Sequence, residues 1–122
     1  MGRNRVVSPE TIRLPLSDGD FLTVKKELNA GEYIDLLTAQ QQQGGQYFAK
    51  QLAYLVSWTL VGHNDAPIAF HLGLSLDERR DVLRSLDTAT MTEITAAIKA
   101  HEAANDLVRE EKKRIPEPAL AS

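Results

Sequence analysis

The side chains with reactive potential are few and scattered. The chain has three histidines and no cysteine, so a zinc site would have to be assembled from His63, His71, His101 and carboxylates. Such a site needs three or four ligands at a spacing that closes around the metal, and no His-x-x-x-His pair exists. The expected roles are a turn residue for His63, a loop residue for His71 and a helix-seam residue for His101. Ser57, Ser75 and Ser85 lack the Gly-x-Ser-x-Gly setting of a nucleophile elbow. Gly44-Gly45 is not followed by the Lys-Ser/Thr of a phosphate loop. Asp77, Glu78 and Asp81 cluster at a helix start, where the helix dipole favours carboxylates for stability alone. No catalytic, cofactor-binding or metal-binding residue is assigned, and the expectation is a non-enzymatic protein.

A chain of 122 residues with 43% apolar and 25% charged content predicts one soluble domain with a modest core. The formal net charge of -3 argues against a dedicated nucleic-acid binder, which shows a basic face. The most apolar run, near residues 52–61, falls short of the roughly 20 apolar residues a membrane span needs. The first ten positions contain Arg3, Arg5 and Pro9 and read as a flexible arm, with no apolar core of a signal peptide.

From residue 11 the pattern alternates. Ile12, Leu14 and Leu16 share one face of a strand, Asp18-Gly19 supplies a positive-φ turn, and Leu22 and Val24 continue the apolar face on a second strand. Pro15 has no N–H for a ladder, so the first strand is an edge strand or ends there. Its open edge raises the question of closure by a second copy. Asn29 with Glu32 forms a capping box, opening a short helix with Tyr33, Leu36 and Leu37. Gln40 to Gly45 break it.

Residues 46–61 are apolar on nearly every face, with Lys50 the lone charge, and read as a central buried helix. Gly62-His63-Asn64-Asp65 is a turn. Ile68, Phe70, Leu72 and Leu74 alternate in an extended segment, either a strand on the core or part of an interface. Ser75 with Glu78 caps a third helix, and Thr90 with Glu93 a fourth. The fourth is long, with Met91, Ile94, Ile98, His101, Asn105 and Val108 on a seam that becomes polar midway. Pro116 and Pro118 terminate it, and residues 115–122 read as a disordered tail. The fold class is mainly α: an N-terminal β-hairpin, then about four helices, the last one long. Charge argues against a helix-turn-helix reading of the last two helices, because Thr92 and Glu93 stand where a DNA-reading helix would place its contacts. The candidate partner or self-association surface is Ile68, Phe70, Leu72, Leu74, Ile98, His101 and Val108.

The order of these features resembles a known family. Arg13-Leu14-Pro15-Leu16-Ser17-Asp18-Gly19-Asp20-Phe21, followed by Val24, is similar to the opening R-L-P-D-G-D-W-V pattern of tail assembly chaperones of long-tailed, siphovirus-type bacteriophages. The likeness continues through Leu52-Ala53-Tyr54-Leu55-Val56-Ser57-Trp58-Thr59-Leu60, the connector Asp65-Ala66-Pro67, and Ile94-Thr95-Ala96-Ala97-Ile98-Lys99-Ala100-His101 before a charged end. It spans residues 11–114. Phe21 stands where the pattern has Trp, and Gln-Gln-Gln-Gly-Gly departs from it. The resemblance implies a protein without enzymatic activity or cofactor. It would act in the host cytoplasm, bind the tape measure protein, help recruit tail tube protein, and self-associate. The competing readings are a structural virion component, such as a small connector or tail protein, and a helical DNA-binding regulator.

Overall fold

The computed structural model describes residues 5–42 and 48–114, with the side chains of 108–114 outside the description. Strands β1 (Thr11–Pro15) and β2 (Phe21–Lys25) form the expected antiparallel hairpin, pairing Ile12 with Val24 and Leu14 with Leu22. The connecting turn places Asp18 at φ 58° and Gly19 at φ +79°. That is the left-handed region, which Asp tolerates and Gly adopts freely. Pro15 lies on the edge strand, as its missing N–H requires. The ladder extends back into the expected arm, where the Glu10 carbonyl accepts from the Lys26 N–H at 2.9 Å. Residues 1–4 of that arm and the expected tail, 115–122, lie outside the described residues.

Helix α1 (Ala30–Gln41) opens on the expected capping box, with Asn29 Oδ1 accepting from the Glu32 N–H and Glu32 returning the bond to the Asn29 N–H. The expected central helix over 46–61 does not form as such. Its first part, 46–47, lies outside the described residues. Helix α2 (Ala49–Tyr54) is 6 residues long, and the chain then turns extended at Leu55, with ψ 131°. Leu55–Trp58 becomes strand β3, which pairs antiparallel with β2. The fold is therefore helices plus a three-stranded sheet in the order β1-β2-β3, not a hairpin before an all-helical body. Without β3, the second edge of β2 would leave backbone groups unpaired in the core. The register passes from Val24↔Leu55 to Thr23↔Ser57, leaving Val56 as the extra residue of a bulge.

After β3 the chain makes a tight turn at His63–Asp65, with Val61 bridged to Pro67. Helix α3 (Leu76–Ser85) opens on the expected Ser75 and Glu78 box. Helix α4 (Thr88–Arg114) is 27 residues long and starts earlier than expected. Asp87, not Thr90, accepts the end N–H, from Thr90 to Oδ1 at 2.7 Å. Glu93 is unavailable for a box because it reaches the hairpin: Ser17 donates to its carboxylate through N–H at 2.8 Å and Oγ–H at 2.6 Å.

The core gathers Leu22, Val24 and Leu55 of the sheet with Leu36, Tyr54, Leu83, Ile94 and Ile98 of the helices. α4 packs against β1 and α2, and its polar seam has a structural use. His101 Nε2 lies 3.1 Å from the Lys25 carbonyl, and Asn105 Nδ2 donates to the Lys26 carbonyl at 3.0 Å. These bonds satisfy acceptors left where β2 ends.

Candidate functional site

The reactive residues remain dispersed. His63 is exposed on its turn, His71 is exposed with Nδ1 accepting from the Gly73 N–H at 3.1 Å, and His101 is buried edge-on to Tyr54. Among the described residues no group of three or more His, Cys, Asp or Glu could hold a metal ion. Ser75 caps α3 and Ser85 Oγ donates to the Val82 carbonyl at 2.6 Å. Asp77 pairs with Arg80 at 3.1 Å. No described helix is long and apolar enough to cross a membrane.

The seven candidate surface residues separate by depth. Phe70 is buried, with its ring 4.5 Å from that of Trp58. Ile68 is half-buried, and its carbonyl accepts from Trp58 Nε1 at 2.9 Å. Leu74 is also half-buried. Ile98 and His101 are 1% and 8% exposed and lie within the core of the single chain, because α4 turns its seam onto the sheet and α2. They are not available as a surface. The side chain of Val108 lies outside the described residues. Of the six whose side chains are described, Leu72 alone is an exposed large apolar side chain, at 50%.

Leu72 borders the feature most suited to binding. α2 packs against both α1 and α3, and a furrow of about 360 Å³ runs between these elements. Its apolar lining is Leu36 and Ala39 from α1, Ala49, Leu52 and Ala53 from α2, and Leu76 from α3. The alanines, each with a single side-chain carbon, leave the depression that larger residues would fill. Leu76 is 49% exposed on its rim.

Charged groups ring this apolar floor. Lys25 pairs with Glu32 at one end. Burial alone would raise the Glu32 pKa, but the Asn29 N–H and the Lys25 ammonium outweigh it and hold the carboxyl below its ordinary value. On the α3 side, Arg80 is paired with Asp77. Arg79 is not: its Nε is sealed from solvent and has no hydrogen-bond partner among the described residues. On the α1 side, Asp35 makes no ion pair among the described residues. The arrangement, an apolar floor with a charged margin, suits capture of an apolar surface.

The sequence pattern did not single out Arg79. A signal was present: Leu76, Arg79, Arg80 and Leu83 fall at i, i+3, i+4 and i+7, on one helix face. Leu83 on that face enters the core, whereas Arg79 and Arg80 beside it line the furrow. Compared with known proteins, the chain matches no family model, no curated protein and no solved structure.

Proposed function

We propose that this protein is a non-enzymatic assembly chaperone of a long-tailed bacteriophage, acting in the host cytoplasm. It would bind the tape measure protein, help recruit tail tube protein and self-associate along its client. The family reading rests on the order of sequence features over residues 11–114. The single structural observation that supports it is the open apolar furrow between α1, α2 and α3, with Leu72 and Leu76 half exposed at its edge. Fully burying a leucine is worth about 1.5–3 kcal/mol, so covering these half-exposed side chains gains on the order of 1 kcal/mol each. One furrow is a weak holder. Several copies along a long client would hold it firmly through effective concentration, yet release it stepwise. Weak, repeated capture suits a protein that shields apolar helices and then yields them to tail subunits.

The test is co-expression with the tape measure protein of a long-tailed phage whose genome carries this gene. The expected result is that the client becomes more soluble and co-purifies, and that Leu72→Asp with Leu76→Asp abolishes both effects. If the client is equally insoluble with and without this protein, the reading fails. Mass spectrometry of purified particles separates it from the virion-component reading, because a stoichiometric presence there would replace the chaperone role.

A further inference from the structure

We propose that the furrow seats one amphipathic helix of the client, with a client carboxylate docked on Arg79 and a client cation beside Asp35. This inference rests on the reading of the furrow as a client site.

The class of occupant follows from the walls. The furrow is bounded mainly by the helices α1, α2 and α3, whose backbone groups are engaged within the helices. An extended peptide laid there would find little backbone to pair with, and its own N–H and C=O groups would be stranded over an apolar floor at substantial cost. A helix arrives with its backbone already satisfied and offers an apolar stripe at i, i+4 and i+7.

The charge pattern follows from which groups are already engaged. Lys25 is engaged by Glu32, and Arg80 by Asp77. Arg79 remains, with a sheltered Nε and no partner among the described residues. That Nε is closed off by the chain itself, so a client carboxylate would meet the terminal nitrogens of this half-buried guanidinium, which lines the furrow and whose fork fits a carboxylate through two parallel bonds. Asp35, on the other side of the floor, carries the opposite unpaired charge. Together they select a helix with acidic residues on one flank of its stripe and basic residues on the other, and they fix its direction.

The test uses the full chain and two cross-linked helical peptides of about 20 residues, roughly 30 Å long. Both carry the same leucine stripe. One has Glu on one flank and Lys on the other, and its counterpart has Lys on both. Fluorescence anisotropy should show the Glu-flanked peptide binding about tenfold tighter or more. Arg79→Glu should reverse that preference, and Arg79→Gln should erase it, with circular dichroism unchanged in both variants. Equal affinity for the two peptides, or a preference that survives Arg79→Gln, overturns the proposal. If Arg79→Glu instead converts a dimer to a monomer and leaves peptide binding alone, the occupant is a second copy and the proposal also falls. Selective peptide binding without client co-purification sinks the chaperone reading and leaves the furrow's chemistry standing. A client that co-purifies undiminished with Arg79→Glu does the reverse.

Discussion

Truncation of Ile98 tests the separation of core from surface more sharply than any other single change. Ile98 is 1% exposed and packs in the same buried cluster as Ile94, Leu22 and Val24. Ile98→Ala removes about three methylene equivalents, worth about 2.4 kcal/mol of transfer free energy. The cavity adds to this, so the expected loss is about 2–5 kcal/mol. Against the roughly 5–15 kcal/mol that holds an ordinary domain together, this is a large fraction. Leu76→Ala removes a comparable group from a side chain that is 49% exposed, at an edge where water can follow. Its expected loss is about 1 kcal/mol or less. Urea titration followed by fluorescence of the one tryptophan, Trp58, reports both. The midpoint should fall steeply for Ile98→Ala and slightly for Leu76→Ala, with the slope m unchanged in each. Peptide binding should show the opposite order. If Leu76→Ala destabilises as much as Ile98→Ala, or if Ile98→Ala loses less than about 1 kcal/mol, the assignment of α4's seam to the core is wrong.

Three further outcomes are expected. Gly19→Ala forces an L side chain into φ +79° and should destabilise by about 1–2 kcal/mol even though the space around the new Cβ is open, as measured by thermal melting. Asn29→Ala removes the Oδ1 acceptor that binds the Glu32 N–H and should cost about 1 kcal/mol in the same assay, whereas Asn29→Asp should keep most of the cap. Glu32, Asp87 and Glu93 are all held below their ordinary pKa in the folded state. Their contribution is therefore present above the unfolded carboxylate range and lost as pH falls through the folded values. The urea midpoint should stay level down to about pH 5 and then decline through pH 4, and Glu93→Gln should make that decline shallower.

Features set by neighbouring residues carry through into the fold, and features set by distant partners do not. The hairpin, the Asn29–Glu32 box and the Ser75–Glu78 box each depend on residues a few positions apart, whose backbone preferences act before any packing. The Thr90–Glu93 box had the same local credentials, but Glu93 bonds Ser17, 76 positions away, and the nearer carboxylate of Asp87 takes over the cap. Residues 55–58 show the same limit in the apolar direction. A run apolar on every face satisfies both a buried helix and a buried strand, so periodicity does not choose between them.

The sequence by itself determined where the chain turns, where two of its helices begin and that Pro15 belongs on an edge. These follow from φ restrictions and capping geometry, which are properties of short stretches. Tertiary structure alone decided that Leu55–Trp58 is a strand, because the choice turns on the unpaired edge of β2. It also decided that the polar half of α4's seam faces inward, because His101 and Asn105 find carbonyls at the end of β2. The furrow belongs to the same class. Its alanines, Leu76 and Arg79 come from three helices and Leu72 from the turn before the third, and they form a surface only when packing sets those helices side by side.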